Sequence, residues 1–442
     1  MIVAAVVVVV ALVVGGVLAW TFGSGSQPLS DADTAAGRAE IAAQERPPGA
    51  VKGPALTGVP TTPLWTYPPG GNTLGLVHVL GGDAKTVIIT VDGSMMIALD
   101  AANGSPRWQQ PVRSMQLRCV IGTSGQVALC TSGGEANLID MATGVTKESK
   151  SAKASNADVY GGAGVLAVKL QNEFTVFDDW GRQLWSKPLA GRTSVFLDQG
   201  IVADAAGTTT TFYDAKTGDQ LFAVDESAGV IATSRGIAVE VYGDGVSSDK
   251  RPKQQIDFYS FTGKLAWRIT ADRGYRLPAV TETGGFEIAT SVKYLTSGVT
   301  SPILYNREKN EIAGVDVLTG ELTWTQQIQL PQETSVSLGG VGNLCVVSYA
   351  GPAPAMRVRD CSDGTGAFLN RSKIVNLIAA NGTQILGLAD RDPASLSRFG
   401  PATAFDSATG GRLWQLPSEM QGVTWVGDGL YSAAFYGIRR LA

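Results

Sequence analysis

One short pattern recurs along most of this chain and limits what it folds into. An apolar strand ends in Asp, a turn ends in Gly, and an aromatic follows a few residues later. Ala98-Leu99-Asp100 leads through Gly104 to Trp108, and Phe177-Asp178 through Gly181 to Trp185. Tyr213-Asp214 leads through Thr217-Gly218 to Phe222, and Val315-Asp316 through Thr319-Gly320 to Trp324. Arg359-Asp360 leads through Gly364 to Phe368, and Phe405-Asp406 through Thr409-Gly410 to Trp414. Two copies depart: Tyr259-Ser260 puts Ser for Asp before Thr262-Gly263 and Trp267, and Ile139-Asp140 reaches Glu148 where the aromatic belongs. Successive Asp (or Ser260) positions lie 40, 38, 36, 46, 56, 44 and 46 residues apart. Asp or Ser bonds the backbone two residues on and Gly takes the positive-φ position, so each unit is a hairpin. Two more strands around a Gly-containing turn, such as Gly125, Gly164 or Gly200, fit between hairpins. Four short antiparallel strands in roughly 42 residues is the pattern of a propeller blade. The 54 glycines among 442 residues serve the same reading, since such a fold consumes tight turns.

The repeat resembles the A-x-D-x-x-T-G-x-x-x-W unit of quinoprotein-type (PQQ-like) β-propellers, and Ala404 through Thr409-Gly410 to Trp414 matches it in full. The resemblance covers about residues 62–442 and implies an all-β propeller of four-stranded antiparallel blades whose tryptophans dock between neighbours. Leu64-Trp65 at the start and Gly437-Ile438-Arg439-Arg440-Leu441 at the end look like ring closure, the first strand supplying the outer strand of the last blade. Counting that closing set gives nine units, where the family norm is eight. In repeat style and size the chain is also similar to the BamB-type propellers of the outer-membrane β-barrel assembly machinery.

Residues 1–20 carry no charged side chain and run for about 30 Å as a helix, the thickness of a bilayer core. They are expected to form a transmembrane signal anchor, with Trp20 at the interface, because the run exceeds the usual 7–15-residue core of a cleaved signal. Residues 21–61, rich in Gly, Ser, Pro and Ala, are expected to be a flexible linker. Ser30 to Arg46 has the composition of a short helix capped by Ser30 or Asp31, with nothing in the sequence obliging it to pack.

The chemistry available is narrow. The single histidine, His78, excludes every mechanism needing two, including His-rich zinc sites and H-E-x-x-H metalloproteases. It sits in an alternating strand, Leu76 to Leu80, and reads as a packed or surface residue. Asp178-Asp179 and Asp390-Arg391-Asp392 lack the ligand count and spacing of a calcium loop. No C-x-x-C-H and no adjacent cysteines occur, so neither an attached haem nor the vicinal disulfide of many quinoprotein dehydrogenases is implied. A net charge of −4 gives no basic footprint for nucleic acid. No catalytic, cofactor-binding or metal-binding residue is expected, and no cofactor. Asn103-Gly104-Ser105, Asn370-Arg371-Ser372 and Asn381-Gly382-Thr383 fit the glycosylation sequon, a short motif that arises often by chance.

The resulting expectation is a non-catalytic, extracytoplasmic, membrane-anchored protein-interaction scaffold of the bacterial cell envelope, with an envelope or membrane protein as partner. The alternative is a quinone (PQQ)-dependent oxidoreductase or small-ligand-binding propeller. Two disulfides are expected. Strands around Ser124-Gly125 face each other at positions summing to 249, pairing Cys119 with Cys130, and a loop from Gly351 to Ala355 gives a sum of 706, pairing Cys345 with Cys361. Partner binding is expected on the face of the second-to-third-strand turns, which lengthen in later blades. The stretch 243–254 carries Lys250, Arg251 and Lys253; 293–310 carries Tyr294, Leu295, Ile303, Leu304 and Tyr305; 390–401 carries Leu396 and Phe399. Trimming 293–310 is expected to touch no core strand.

Overall fold

The computed structural model describes residues 31–442 apart from 47–57, 61, 69–74, 113–116, 133, 152–156, 172, 190, 247–251, 278–299, 307, 328–334, 342–343, 351–354, 361–363, 366–373, 381–382, 390–400, 407–408, 410, 418–419, 421 and 435–436. The described residues form eight four-stranded antiparallel sheets and one sheet of three strands, one for each of the nine repeat units. Blade 1 comprises β2 (Val77–Gly82), β3 (Thr86–Val91), β4 (Met95–Asp100) and β5 (Pro106–Pro111). Blade 2 follows with β6 (Arg118–Ile121), β7 (Val127–Ser132), β8 (Glu135–Asp140) and β9 (Thr146–Ser151). Blade 3 holds β10 (Ala157–Gly162), β11 (Val165–Leu170), β12 (Glu173–Asp178) and β13 (Gln183–Pro188). Blade 4 holds β14 (Arg192–Phe196), β15 (Ile201–Ala206), β16 (Thr209–Asp214) and β17 (Gln220–Val224). Blade 5 holds β18 (Ser227–Ala232), β19 (Ile237–Val246), β20 (Pro252–Tyr259) and β21 (Leu265–Ile269). Blade 6 holds β22 (Tyr275–Arg276), β23 (Ile303–Asn306), β24 (Glu311–Val315) and β25 (Leu322–Gln327). Blade 7 is the three-stranded sheet β26 (Ser335–Val341), β27 (Leu344–Ala350) and β28 (Ala355–Asp360). Blade 8 holds β29 (Ile374–Ala380), β30 (Gln384–Ala389), β31 (Ala402–Asp406) and β32 (Arg412–Gln415). Blade 9 joins both ends of the chain: β33 (Val423–Val426), β34 (Gly429–Ala434), β35 (Gly437–Arg440) and, as outer strand, β1 (Trp65–Tyr67). Trp65 pairs with Arg440, so the ring closes as expected.

First strands of successive blades lie against one another, β2 on β6, β6 on β10 and β29 on β33, and β2 also meets β33 and β34. They therefore converge on the axis, and the fourth strands form the rim. Second strands such as β3 and β7 are almost wholly buried. Rim strands are mostly exposed: β5 and β13 each carry one buried tryptophan, Trp108 and Trp185, among exposed or half-buried neighbours. That pattern is what a half-buried edge demands.

The Asp turns close as the sequence implies. Asp140 Oδ1 accepts from the Ala142 and Thr143 amides at 3.1 and 3.0 Å, Asp214 Oδ1 from Lys216 and Thr217 at 2.8 and 2.9 Å, and Asp316 Oδ1 from Leu318 and Thr319 at 2.7 and 3.2 Å. The turn glycine takes positive φ, and its missing Cβ leaves room for the preceding blade's aromatic: a Cβ on Gly144 would sit 2.7 Å from the Trp108 ring and one on Gly218 2.8 Å from Trp185.

Three expectations need correction. Residues 31–46 are not free linker: α1 (Asp31–Ala43) lies along β21, with Thr34 and Ile41 buried and Ile41 inside the core shared by blades 5 and 6. The stretch 293–310 is not a loop. Ile303, Leu304 and Tyr305 form β23, the second strand of blade 6, with Ile303 and Leu304 fully buried. The insertion therefore joins β22 to β23 in sequence, the first two strands of blade 6, and trimming 293–310 would delete a core strand. Third, the 243–254 stretch belongs largely to strands: β19 and β20 extend to a Val246–Pro252 pair. Lys250 and Arg251 lie outside the described residues, as do Tyr294, Leu295, Leu396, Phe399 and residues 1–20, the expected anchor. Among the described residues no helix is long and apolar enough to cross a membrane.

The two cysteine pairs also fare differently. Cys119 and Cys130 are register partners and form a disulfide, Sγ–Sγ 2.03 Å. In blade 7 the strands pair at Tyr349–Ala355, which puts Arg359 rather than Cys361 opposite Cys345. The connecting loop is one residue shorter than the expected Gly351 to Ala355, because Ala355 already belongs to β28, and Cys361 lies outside the described residues.

Candidate functional site

In an antiparallel blade the first-to-second and third-to-fourth turns share one face of the ring, and the second-to-third turns lie on the other. The first of these faces, at blades 2 and 3, carries the most exposed aromatic among the described residues. Trp180, in the turn between β12 and β13, is 61% exposed; Leu184 at the start of β13 is 42% exposed, and Val145 in the β8–β9 turn of the neighbouring blade is 62% exposed. A lone exposed apolar side chain needs no explanation; here three fall within or beside the third-to-fourth-strand turns of two neighbouring blades. Arg182 and Lys147 border them, paired at 2.7 and 2.9 Å with Asp178 and Asp140. Arg182 and Lys147 hold the Asp178 and Asp140 carboxylates below their ordinary range against the opposing effect of burial, which for Asp178 is the larger single influence.

The local cause is a break in the repeat. At four seams the rim tryptophan reaches across and its indole N–H donates to the carbonyl after the next blade's Asp. Trp65 donates to Ala101 at 2.8 Å, Trp108 to Met141 at 2.9 Å, Trp185 to Ala215 at 3.0 Å and Trp267 to Val317 at 2.8 Å. Between blades 2 and 3 that position is Glu148, which offers neither ring nor donor. Gly181 meets Leu138 instead of an indole. Asp179 supplies the link: its Oδ1 accepts from the Thr123 amide at 3.0 Å, its other oxygen from the Thr123 hydroxyl, and its carbonyl from Ser124 Oγ at 2.7 Å. Pinning Asp179 over blade 2 leaves Trp180, next in the turn, directed away from the core.

Asp178 and Asp179 are thus a turn residue and a seam hook. Among the described residues no group of three or more His, Cys, Asp or Glu side chains is placed to hold a metal. His78 is half-buried in β2, opposite Thr90. Glu240 is a buried carboxyl displaced upward into the neutral range. It is buried at the seam of blades 5 and 6, 3.7 Å from Arg276, and burial pushes its carboxyl up to about 7, with Arg276 and the Leu277 amide partly offsetting. In blade 5 the buried Asp257 accepts two bonds of 2.6 Å from Arg268 and one of 3.0 Å from the Tyr259 hydroxyl, which ties the third and fourth strands together.

Sequence reasoning missed Trp180, Leu184 and Val145. The signal was available: Trp180 stands between the Asp and Gly of a turn, outside the repeat's aromatic slot. Of the expected partner-binding residues, Ile303 is core and Tyr305 is half-buried against the same core. Lys250, Arg251, Tyr294 and Phe399 are among the residues not described.

Residues 146–274 match a family model described as outer membrane protein assembly factor BamB. A curated outer membrane protein assembly factor BamB from Burkholderia pseudomallei (strain K96243) is 27% identical over 168 residues, 33% of this chain and 44% of the relative. The match thus spans less than half of that relative's length. Among solved structures, the computationally designed Ika8 protein is similar with a TM-score of 0.49 at 13% identity, covering 86% of this chain and 98% of the design. BamB from Moraxella catarrhalis has a TM-score of 0.34 at 15% identity, covering 61% of this chain and 80% of that one.

Proposed function

We propose that this chain, a PQQ-like β-propeller with BamB-like repeats, is a non-catalytic protein-interaction scaffold held in the bacterial cell envelope. The observation that carries the reading is the exposure of Trp180 and Val145, on turns of neighbouring blades, with Leu184 beside them on β13, at the seam where the repeat loses its aromatic. Rigid aromatic anchors on fixed turns bind with little ordering cost, and such anchors dominate protein interfaces. The partner is an envelope or membrane protein. Similarity to relatives described as outer membrane assembly factors supports that class of partner without naming it.

Placement outside the cytoplasm rests on two supports. The Cys119–Cys130 disulfide suits an oxidising compartment, and the uncharged run 1–20 has the length of a single membrane span. A second disulfide, Cys345–Cys361, belongs to the same proposal. Thiol labelling of the unfolded, unreduced protein should find no reactive cysteine; two would remove the second bridge, and four the oxidising compartment.

Interface substitution provides the functional test. Trp180→Ala and Leu184→Asp should abolish copurification of the membrane partner while leaving the folded ring's melting temperature unchanged. Unchanged copurification would move the site to the opposite face, where the β19–β20 hairpin lies.

A further inference from the structure

Blade 5 is the unit in which Ser260 replaces the turn Asp, and it is also the blade that α1 covers. The two facts are connected at Glu40. Its carboxylate accepts from Ser260 Oγ at 2.7 Å and from the Thr262 hydroxyl, and pairs with Lys264 at 2.5 Å. In blade 3, Asp178 pairs with Arg182, four residues on, in the same way that Glu40 here pairs with Lys264, four residues after Ser260. The helix thus returns to the turn the carboxylate that the repeat has lost. Lys264 and Thr262 hold Glu40 down to about 2, so this contact is fully present above about pH 4.5 and is lost as pH falls towards 2.

The rest of α1 is shaped for the same seat. Thr34, Gly37 and Ile41, at helical spacing, face the blade. A Cβ on Gly37 would lie 2.2 Å from the Leu265 carbonyl oxygen, so only glycine lets helix and edge strand approach this closely; otherwise a mid-helix glycine is unfavourable. Arg38 Nε donates to the Ala266 carbonyl at 3.1 Å. From the ring, Arg235 donates to the terminal helix carbonyls of Ile41 and Ala42 at 3.3 and 3.4 Å and pairs with Glu45 at 2.9 Å. Arg46 stacks 3.8 Å over Phe261, its amide donates to the Ser234 carbonyl at 2.7 Å, and its guanidinium bonds the Gln199 carbonyl in blade 4.

We infer that residues 31–46 are an orientation clasp, which holds the rim of blade 5 towards the membrane that residues 1–20 enter. The inference rests on the anchor reading above. Without the clasp, 44 residues separate Trp20 from Leu64, a reach of about 150 Å when extended; with it, the 11 from Trp20 to Asp31 reach at most about 40 Å. Two stacks of four strands spaced about 4.8 Å across a central channel make a ring of at least roughly 40 Å. The leash is therefore no longer than the ring is wide, and the far rim at blades 9 and 1 is kept outermost.

The test uses the full chain in vesicles containing an acceptor-labelled lipid, with a donor dye placed by a non-natural residue at exposed Thr270 in blade 5 or Gln109 in blade 1. Energy transfer should be severalfold stronger from 270 than from 109. Gly37→Leu, which blocks docking without touching the turn, should erase that difference and release residues 31–46 to hydrogen exchange while the ring stays protected. Glu40→Ala should loosen both α1 and the 260–264 turn, and adding Ser260→Asp should restore protection to the turn alone. Equal transfer from both positions in the unmodified chain, or a difference that survives Gly37→Leu, overturns the clasp. A chain recovered wholly apart from the vesicles, with 31–46 still protected, overturns the anchor and the orientation with it.

Discussion

Among the described residues, four seams of the ring are closed by a tryptophan seen to donate across to the next blade, and two are closed by other means. At the regular seams one residue does three things: it fills the gap over the turn glycine, excludes water and satisfies a buried carbonyl. At the seam of blades 2 and 3 the slot holds Glu148, and the closure passes to the Asp179 hook. At the seam of blades 4 and 5 the slot holds Phe222, stacked 4.5 Å from Phe212 but without a donor, and residues 31–46 bridge the two blades. Each departure from the repeat coincides with something the repeat does not supply: an exposed tryptophan at one, a docked helix at the other. In a ring whose regular seams are explained by packing alone, the irregular seams are where function is to be sought.

The largest expected effect comes from removing a staple. Trp185 is buried and stacks 5.6 Å from Phe174, so Trp185→Ala should cost about 3–5 kcal/mol in denaturant unfolding. Glu148→Ala, in the same slot of the unstapled seam, should stay within about 0.5 kcal/mol. Similar losses at the two positions would break the distinction. Next is Glu240, at a seam that has its staple. Because its folded carboxyl sits up near 7 while the unfolded one titrates near 4.5, stability should fall as pH rises through that window, by on the order of 2 kcal/mol. Glu240→Gln should flatten the melting temperature between pH 5 and 7, and an unchanged slope would assign it to other groups.

Asp179→Ala should cost about 1–2 kcal/mol, since it strips the Thr123 amide and hydroxyl of their partner, and should raise exchange in the 122–126 turn of blade 2 more than in blade 3. Smallest is the attempt to regularise a seam. Phe222→Trp introduces a donor facing the Phe261 carbonyl and should gain at most about 1 kcal/mol. A loss of several kcal/mol would mean that the α1 clasp has reshaped the slot.

Much of this architecture is legible in local sequence because each blade repeats a turn whose residues have fixed jobs. Asp140, Thr143 and Gly144 specify their hairpin without help from the rest of the chain, and Ser124-Gly125 sets the register that joins Cys119 to Cys130. Legibility fails where a unit is interrupted. In blade 6 the first strand is only Tyr275–Arg276 and the insertion follows it at once, so the apolar run Ile303 to Tyr305 lost its partner in sequence and read as a loop. In blade 7 a one-residue difference in where a strand begins moved the partner of Cys345 by two positions. The seat of α1 was invisible for another reason. Its apolar face is Thr34, Gly37 and Ile41, too sparse to announce burial, and its closest approach depends on a glycine meeting a backbone more than two hundred residues away. The candidate site was half legible: Trp180 stands out in the wrong slot, but its exposure depends on Asp179 being tied to the neighbouring blade.

The central claim is that the irregular seam of blades 2 and 3 is the partner-facing surface, and site-specific photocrosslinking in intact cells tests it most directly. A photoreactive residue at 180 should yield one discrete adduct with a membrane or envelope protein, lost on Leu184→Asp, while the same group at exposed Lys216 in blade 4, beside a tryptophan-closed seam, yields none. An adduct at 216 equal to that at 180, or none at 180, would contradict it.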